Sequence, residues 1–108
     1  MSAFSRISPA DAHAMMASGA IQIADIRDPA AFAKGRMNGA LRLDNTNVAE
    51  LVLHGEFEQP LIVCCYHGIS SQPAAEYLAQ QGFEQVYSLD GGFEAWSQQF
   101  PNDVEVDA

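Results

Sequence analysis

Positive charge is scarce in this chain of 108 residues. Five Lys and Arg stand against fourteen Asp and Glu, for a formal net charge of −9. Such a surface repels phosphates, which argues against nucleic acids and anionic membranes as partners. Long apolar runs are missing too: none approaches the roughly 20 residues that span a bilayer. The start, Met1-Ser2-Ala3-Phe4-Ser5-Arg6, lacks the basic region and apolar core of a signal peptide. A cytoplasmic location is the expectation. Cysteine is nearly absent, and the two present, Cys64 and Cys65, are adjacent. A disulfide between sequence neighbours is strained and closes no useful loop, so no disulfide framework is expected. That agrees with a reducing compartment. The pair lacks Cys-x-x-Cys spacing, and His13, His54 and His67 form no ligand pattern, so no metal site is expected. No linker, repeat or low-complexity stretch divides the chain.

What is present is a composition that folds. Hydrophobic residues make up 48% of the chain, which speaks against disorder. The length suits one domain and leaves no room for a separate cofactor domain. Short apolar runs alternate with short helical ones. Phe4–Ile7, Ile21–Ala24, Leu41–Leu43, Leu61–Cys64 and Val86–Leu89 read as strands. Ser8-Pro9 and Asp28-Pro29 open helices, as a cap followed by proline at the first helical position. These helices stop at Gly19 and near Gly35. Further helices are expected from Asn45 to His54, from the segment after Cys65 to Gln81, and from Phe93 to Gln99. The alternation implies an α/β fold with a mostly parallel sheet and helices on both faces. Ile23, Ile62, Val63 and Val86 should lie in its core. Residues 1–101 form a single domain, and 102–108 an acidic C-terminal tail that should be loose.

One segment carries chemistry: Cys65-Tyr66-His67-Gly68-Ile69-Ser70-Ser71. It joins a buried strand to a helix, and reacting groups in parallel sheets collect at the carboxyl ends of strands. A short loop there can aim backbone N–H groups inward, and the next helix adds its positive end. Both favour a thiolate over a thiol, which makes Cys65 a candidate nucleophile. Gly68 permits a positive φ, Ser70 and Ser71 can bond an anion or cap the helix, and Pro73 sits harmlessly in the first turn. Cys64 continues the strand, and its side chain should point away from that of Cys65, into the core. A phosphatase or arsenate reductase with this loop would need an arginine to hold its oxyanion, and no Arg or Lys occurs from Cys65 to Gln81. Sulfur transfer asks only for a thiolate and amides that stabilise a persulfide. A redox sensor or a partner-binding module without activity are the other readings. A sensor would want a resolving thiol, for which Cys64 is badly oriented.

Three segments together resemble the single-domain rhodaneses of the GlpE type, which are thiosulfate sulfurtransferases. The stretch Asp25-Ile26-Arg27 through Phe32 and Gly35 to Ala40 is similar to the family's Asp-x-Arg region. The Cys65 to Ser71 loop is similar to its active-site loop. Leu89-Asp90-Gly91-Gly92-Phe93-Glu94-Ala95-Trp96 resembles its terminal Gly-Gly-x-x-x-Trp signature. Arg36 and Ile69 depart from the pattern, which has His and a polar residue there. The resemblance implies a rhodanese-like fold of about five parallel strands. It implies that thiosulfate gives its outer sulfur to Cys65 with release of sulfite. Tyr66, His67, Gly68, Ile69, Ser70 and Ser71 would bind substrate. The persulfide would pass its sulfur to cyanide, to small dithiols or to thioredoxin. No metal or organic cofactor is implied, and a monomer or weak homodimer is expected.

Other residues have plainer readings. His67 lines the loop rather than serving as an essential base. His13 and His54 lie on predicted helices and should be at the surface. Asp25 and Arg27, two residues apart at a strand end, should form a structural ion pair. Lys34 and Arg36 belong to a solvated turn. Gly91 and Gly92 need be no more than a turn and helix start. Trp96 should pack the last helix onto the sheet with Phe93 and Phe100.

Overall fold

A computed structural model describes residues 4–107. Met1 to Ala3, read above for a signal, and Ala108, the end of the expected tail, lie outside them. The elements in chain order are β1 (Phe4–Ile7), α1 (Pro9–Ser18), β2 (Gln22–Asp25), α2 (Pro29–Lys34), β3 (Arg36–Met37), β4 (Leu41–Arg42), α3 (Val48–His54), β5 (Leu61–Cys64), α4 (Ser71–Gln80), β6 (Val86–Leu89), α5 (Gly92–Gln99), a 3₁₀ turn (Pro101–Asp103) and β7 (Val104–Glu105). Five strands form one parallel sheet in the order β1-β6-β5-β2-β4. The expected architecture is therefore present, with β5 at the centre.

Local chemistry explains the elements. Ser8 and Asp28 each cap a helix, accepting from the N–H of Asp11 at 3.1 Å and of Ala31 at 2.9 Å. All four residues of β5 are buried, as a strand covered on both faces requires. Alternation along β5 splits the core in two. Ile62 and Cys64 join Ala12, Met37, Leu89 and Trp96 on the side of α1 and α5. Leu61 and Val63 join Ala75, Leu78, Phe83 and Val86 on the side of α4, where Val48 and Leu51 of α3 also pack. The expected core residues Ile23, Ile62, Val63 and Val86 are all buried.

Four expectations are corrected. Helix α3 begins at Val48 rather than Asn45. The Asp44 carboxylate accepts from the Thr46 N–H and hydroxyl, and this local turn holds the chain out of helical form. The tail is docked rather than loose: β7 pairs antiparallel with β3, setting Val104 beside the buried Met37. Trp96 Nε1 donates to the Asp103 carbonyl at 3.2 Å, and Arg36 reaches Asp107 at 2.8 Å. The buried indole needs an acceptor, and the tail backbone supplies it. That same Arg36 is half-buried over the Phe32 ring, so it is no solvated turn residue. His13 is only part-exposed, stacked on Phe100 with centroids 4.2 Å apart and bonded to Asp103 at 2.9 Å. No helix among the described residues is long and apolar enough to cross a membrane.

Candidate active site

Central strand β5 stops at Cys64, and the chain must turn before α4 begins at Ser71. Gly68 makes that turn at φ +86°, where a Cβ would lie 2.8 Å from the Gly91 nitrogen and 2.9 Å from the Leu89 carbonyl oxygen. Only glycine fits there. The turn brings two backbone donors onto one sulfur. The Gly68 N–H lies 3.1 Å and the Ser71 N–H 3.3 Å from Cys65 Sγ. The Ser71 hydroxyl lies 3.2 Å from the same atom and 2.7 Å from the Ser88 hydroxyl of β6. Cys65 is 3% exposed yet belongs to neither apolar cluster. Its sulfur faces a polar cradle at the start of α4.

The start of α5 holds the loop from behind. Gly92 has φ +60°, and a Cβ there would come within 2.5 Å of the Cys65 carbonyl oxygen and 2.6 Å of the His67 nitrogen. This approach lets the Phe93 N–H donate to the Cys65 carbonyl at 2.8 Å and the Glu94 N–H to the Tyr66 carbonyl at 3.2 Å. Gln72 takes the Gly68 carbonyl through its side-chain amide at 2.9 Å. With the loop carbonyls bonded elsewhere, its N–H groups are left for the sulfur. Gly91-Gly92 is thus more than a helix start: it is the loop's clamp. The signal was present in the signature but had no partner until the fold placed it against Cys65.

Electrostatics separate the two cysteines. Burial pushes the Cys65 thiol up, but the Ser71 hydroxyl and the N–H groups of Ser71, Gly68 and His67 outweigh it. Its pKa falls below the ordinary thiol value. Burial pushes the Cys64 thiol far up, and the nearby Asp25 carboxylate adds to this, so Cys64 stays protonated. Both thiols are free.

The remaining loop residues face outward. The Tyr66 hydroxyl donates to Asp28, and Tyr66 as a residue is 44% exposed, while Ile69 is 73% exposed. His67 Nδ1 lies 2.7 Å from the Glu94 carboxylate on the open rim, which suits a lining role. Ser70 is exposed and its side chain makes no capping bond. Asp25 and Arg27 are fully buried behind the loop, with Arg27 Nη2 2.7 Å from Asp25 Oδ2 and 2.6 Å from the Gly35 carbonyl. Burial disfavours the Arg27 charge, and Asp25 more than restores it, so its pKa lies above the usual value. The guanidinium also lies 4.2 Å from the Phe93 ring centroid, which ties the pair to the clamp. The described arginines are all paired with aspartates: Arg6 with Asp90, Arg27 with Asp25, Arg36 with Asp107 and Arg42 with Asp44. The cradle therefore draws its positive potential from amides. Among the described residues no cluster suited to a metal occurs. Two grooves along α3, of about 390 and 560 Å³, are lined by no residue of the loop.

Residues 8–99 match the family described as Rhodanese-like domain. The chain belongs to that family. It is 53% identical over 107 residues to a protein of Stutzerimonas stutzeri (strain A1501) named thiosulfate sulfurtransferase GlpE, covering 99% of this chain and 97% of the relative. A protein of the same name from Pseudomonas aeruginosa (strain LESB58) is 50% identical over 101 residues, 94% of this chain and 91% of its own. Among solved structures, a rhodanese-like domain from Anabaena sp superposes with a TM-score of 0.81 at 22% identity, covering 94% of this chain and 78% of that one. A rhodanese-like domain protein from Staphylococcus aureus gives 0.79 at 21%, covering 97% and 99%. At those identities the two structures establish the rhodanese fold alone. They agree with the parallel sheet described above.

Proposed function

We propose that this rhodanese is a thiosulfate sulfurtransferase acting through Cys65. The observation that carries the reading is the convergence of the Gly68 and Ser71 N–H groups and the Ser71 hydroxyl on one sulfur. The names of the near-full-length relatives point the same way. The Cys65 thiolate attacks the outer sulfur of thiosulfate. A bond forms between the two sulfurs, the bond to the sulfonate sulfur breaks, and its electron pair leaves with sulfite. The persulfide anion carries the same single charge as the thiolate and is held by the same amides. Cyanide, or the thiolate of a dithiol or of thioredoxin, then attacks the outer sulfur and restores Cys65. The Tyr66 to Ser71 loop surrounds the donor, with its amides as anion ligands and Tyr66 and Ile69 as exposed rim. Free adjacent thiols are in keeping with work in the cytoplasm. A phosphatase reading is disfavoured because Arg27 is engaged by Asp25 and Gly35 rather than available to a phosphate.

The test is intact mass after brief incubation with thiosulfate. One added sulfur, about 32 Da, is expected, removable by cyanide and absent in Cys65→Ser. An unchanged wild-type mass would overturn thiosulfate as donor. Loss of loading in Cys64→Ala would overturn the assignment of the pair.

A further inference from the structure

On β6, side chains alternate between the two faces of the sheet, and Val86 packs into the apolar layer under α4. Ser88 occupies the next position on that face, opposite Val63 in β5, and is 1% exposed. An apolar residue would fit the pattern. A buried hydroxyl is unfavourable unless hydrogen-bonded. Among the described residues the side chain of Ser88 has one such partner, the Ser71 hydroxyl at 2.7 Å, which in turn lies 3.2 Å from Cys65 Sγ. Three atoms thus form a line with two links: Ser88 Oγ, Ser71 Oγ and Cys65 Sγ.

Counting hydrogens along the line distinguishes the two states of the sulfur. With Cys65 as a thiol, three polar hydrogens share two links, so one is left without an acceptor in the row. Among the described residues none of the three groups has a hydrogen bond to a further acceptor, and the other two partners of the sulfur, the N–H groups of Gly68 and Ser71, are donors. With Cys65 as a thiolate, two hydrogens fill two links, and their direction is forced. Ser88 donates to Ser71, and Ser71 donates to sulfur.

We propose that Ser88 is a positioning residue for the reactive sulfur, orienting the Ser71 hydroxyl to donate to the Cys65 anion. This rests on the sulfurtransferase reading for its purpose, while the wiring itself concerns only the thiol. The ionisable groups around the loop are Cys64, the Asp25–Arg27 pair, Asp28 with Tyr66, His67 with Glu94, and Asp90 with Arg6 at the end of β6. None has a hydrogen bond to Ser88, so removing its hydroxyl leaves them in place.

The experiment is the pH dependence of iodoacetamide alkylation of Cys65, followed by intact mass in a Cys64→Ala background. Ser88→Ala should raise the apparent Cys65 pKa by about half to one unit. Alkylation well below that pKa should slow about three- to tenfold, with little change on the alkaline plateau. Ser71→Ala should raise the pKa at least as far, and adding Ser88→Ala to it should produce no further shift. Ser88→Thr, which keeps a hydroxyl on a strand position, should restore the wild-type titration. A wild-type pKa in Ser88→Ala, even with a lowered Tm, would overturn the proposal. So would a Ser88→Ala shift that persists without Ser71. Because alkylation needs no sulfur donor, a shifted pKa in a protein that takes no sulfur from thiosulfate would keep this wiring and reject the proposed reaction.

Discussion

Gly92→Ala tests the clamp directly. The new methyl would sit 2.5 Å from the Cys65 carbonyl oxygen and from the Tyr66 carbonyl carbon, and 2.6 Å from the His67 nitrogen. All three are backbone atoms, which cannot swing aside as a side-chain tip can. Relieving them to ordinary contact requires a movement of about 1 Å between loop and helix. The left-handed φ of +60° adds its own cost of ~1–2 kcal/mol for a residue with a Cβ. Overpacking adds ~1–3 kcal/mol, for ~2–5 kcal/mol altogether. At about 5 °C per kcal/mol, Tm should fall by about 10–25 °C, leaving a folded protein at room temperature. The Phe93 bond to Cys65 and the Glu94 bond to Tyr66 would be lost, and a cradle displaced by about 1 Å should load sulfur about 10²-fold more slowly. Gly39→Ala is the control. Its φ is +82°, but nothing lies within 4 Å of a Cβ there. It should lose ~1–2 kcal/mol and keep its loading rate. Melting by circular dichroism and single-turnover loading by mass spectrometry measure both. Equal losses in the two variants would refute the clamp.

Three further outcomes follow from the same geometry. Asp25→Asn leaves Arg27 buried without its counter-ion and should cost ~3 kcal/mol or more, seen as a lower denaturant midpoint. Deleting residues 101–108 removes the Trp96–Asp103 bond, the β3–β7 pairing and the Arg36–Asp107 ion pair, so thermal melting should show a clear fall in Tm where a loose tail would leave it unchanged. With a net charge of −9, encounter with a dianionic donor should quicken in moderate salt, and loading that slows with added salt would reveal a local cationic patch instead.

Much of the fold was legible because its signals are local. Ser8-Pro9 and Asp28-Pro29 mark helix starts through hydrogen bonds three residues long, and both caps form. The β5 run reads as a buried strand because parallel pairing covers both its faces. What stayed hidden depends on contacts far apart in sequence. The strand order is one such property, since alternation says which face a residue takes and nothing of its neighbours. The tail is another: its acidic composition reads as solvated, yet Trp96 and Arg36 present a donor and a cation that it satisfies. At the site, the loop itself was legible, whereas its clamp and Ser88 were not. Gly92 and Cys65 are 27 residues apart in the chain, and only packing makes the glycine's missing side chain matter.

The adjacent cysteines show where this reactivity originates. They are sequence neighbours with the same side chain, and they differ in which side of one strand terminus they occupy. Period-two alternation sends Cys64 into the layer of Ile62, Leu89 and Trp96, where burial and the neighbouring Asp25 carboxylate both disfavour a thiolate and its backbone is bonded along the sheet. The ladder ends there. One residue later the chain is free to curl, and its N–H groups, no longer claimed by β2 or β6, turn toward the side of the strand that Cys65 takes. Moving the strand end by one residue would exchange the two fates without changing either side chain. The reactive thiol is therefore a property of where pairing stops, and side chains such as Ser71 refine it. It follows that a variant lengthening β5 pairing into the loop should raise the Cys65 pKa even with every loop side chain retained.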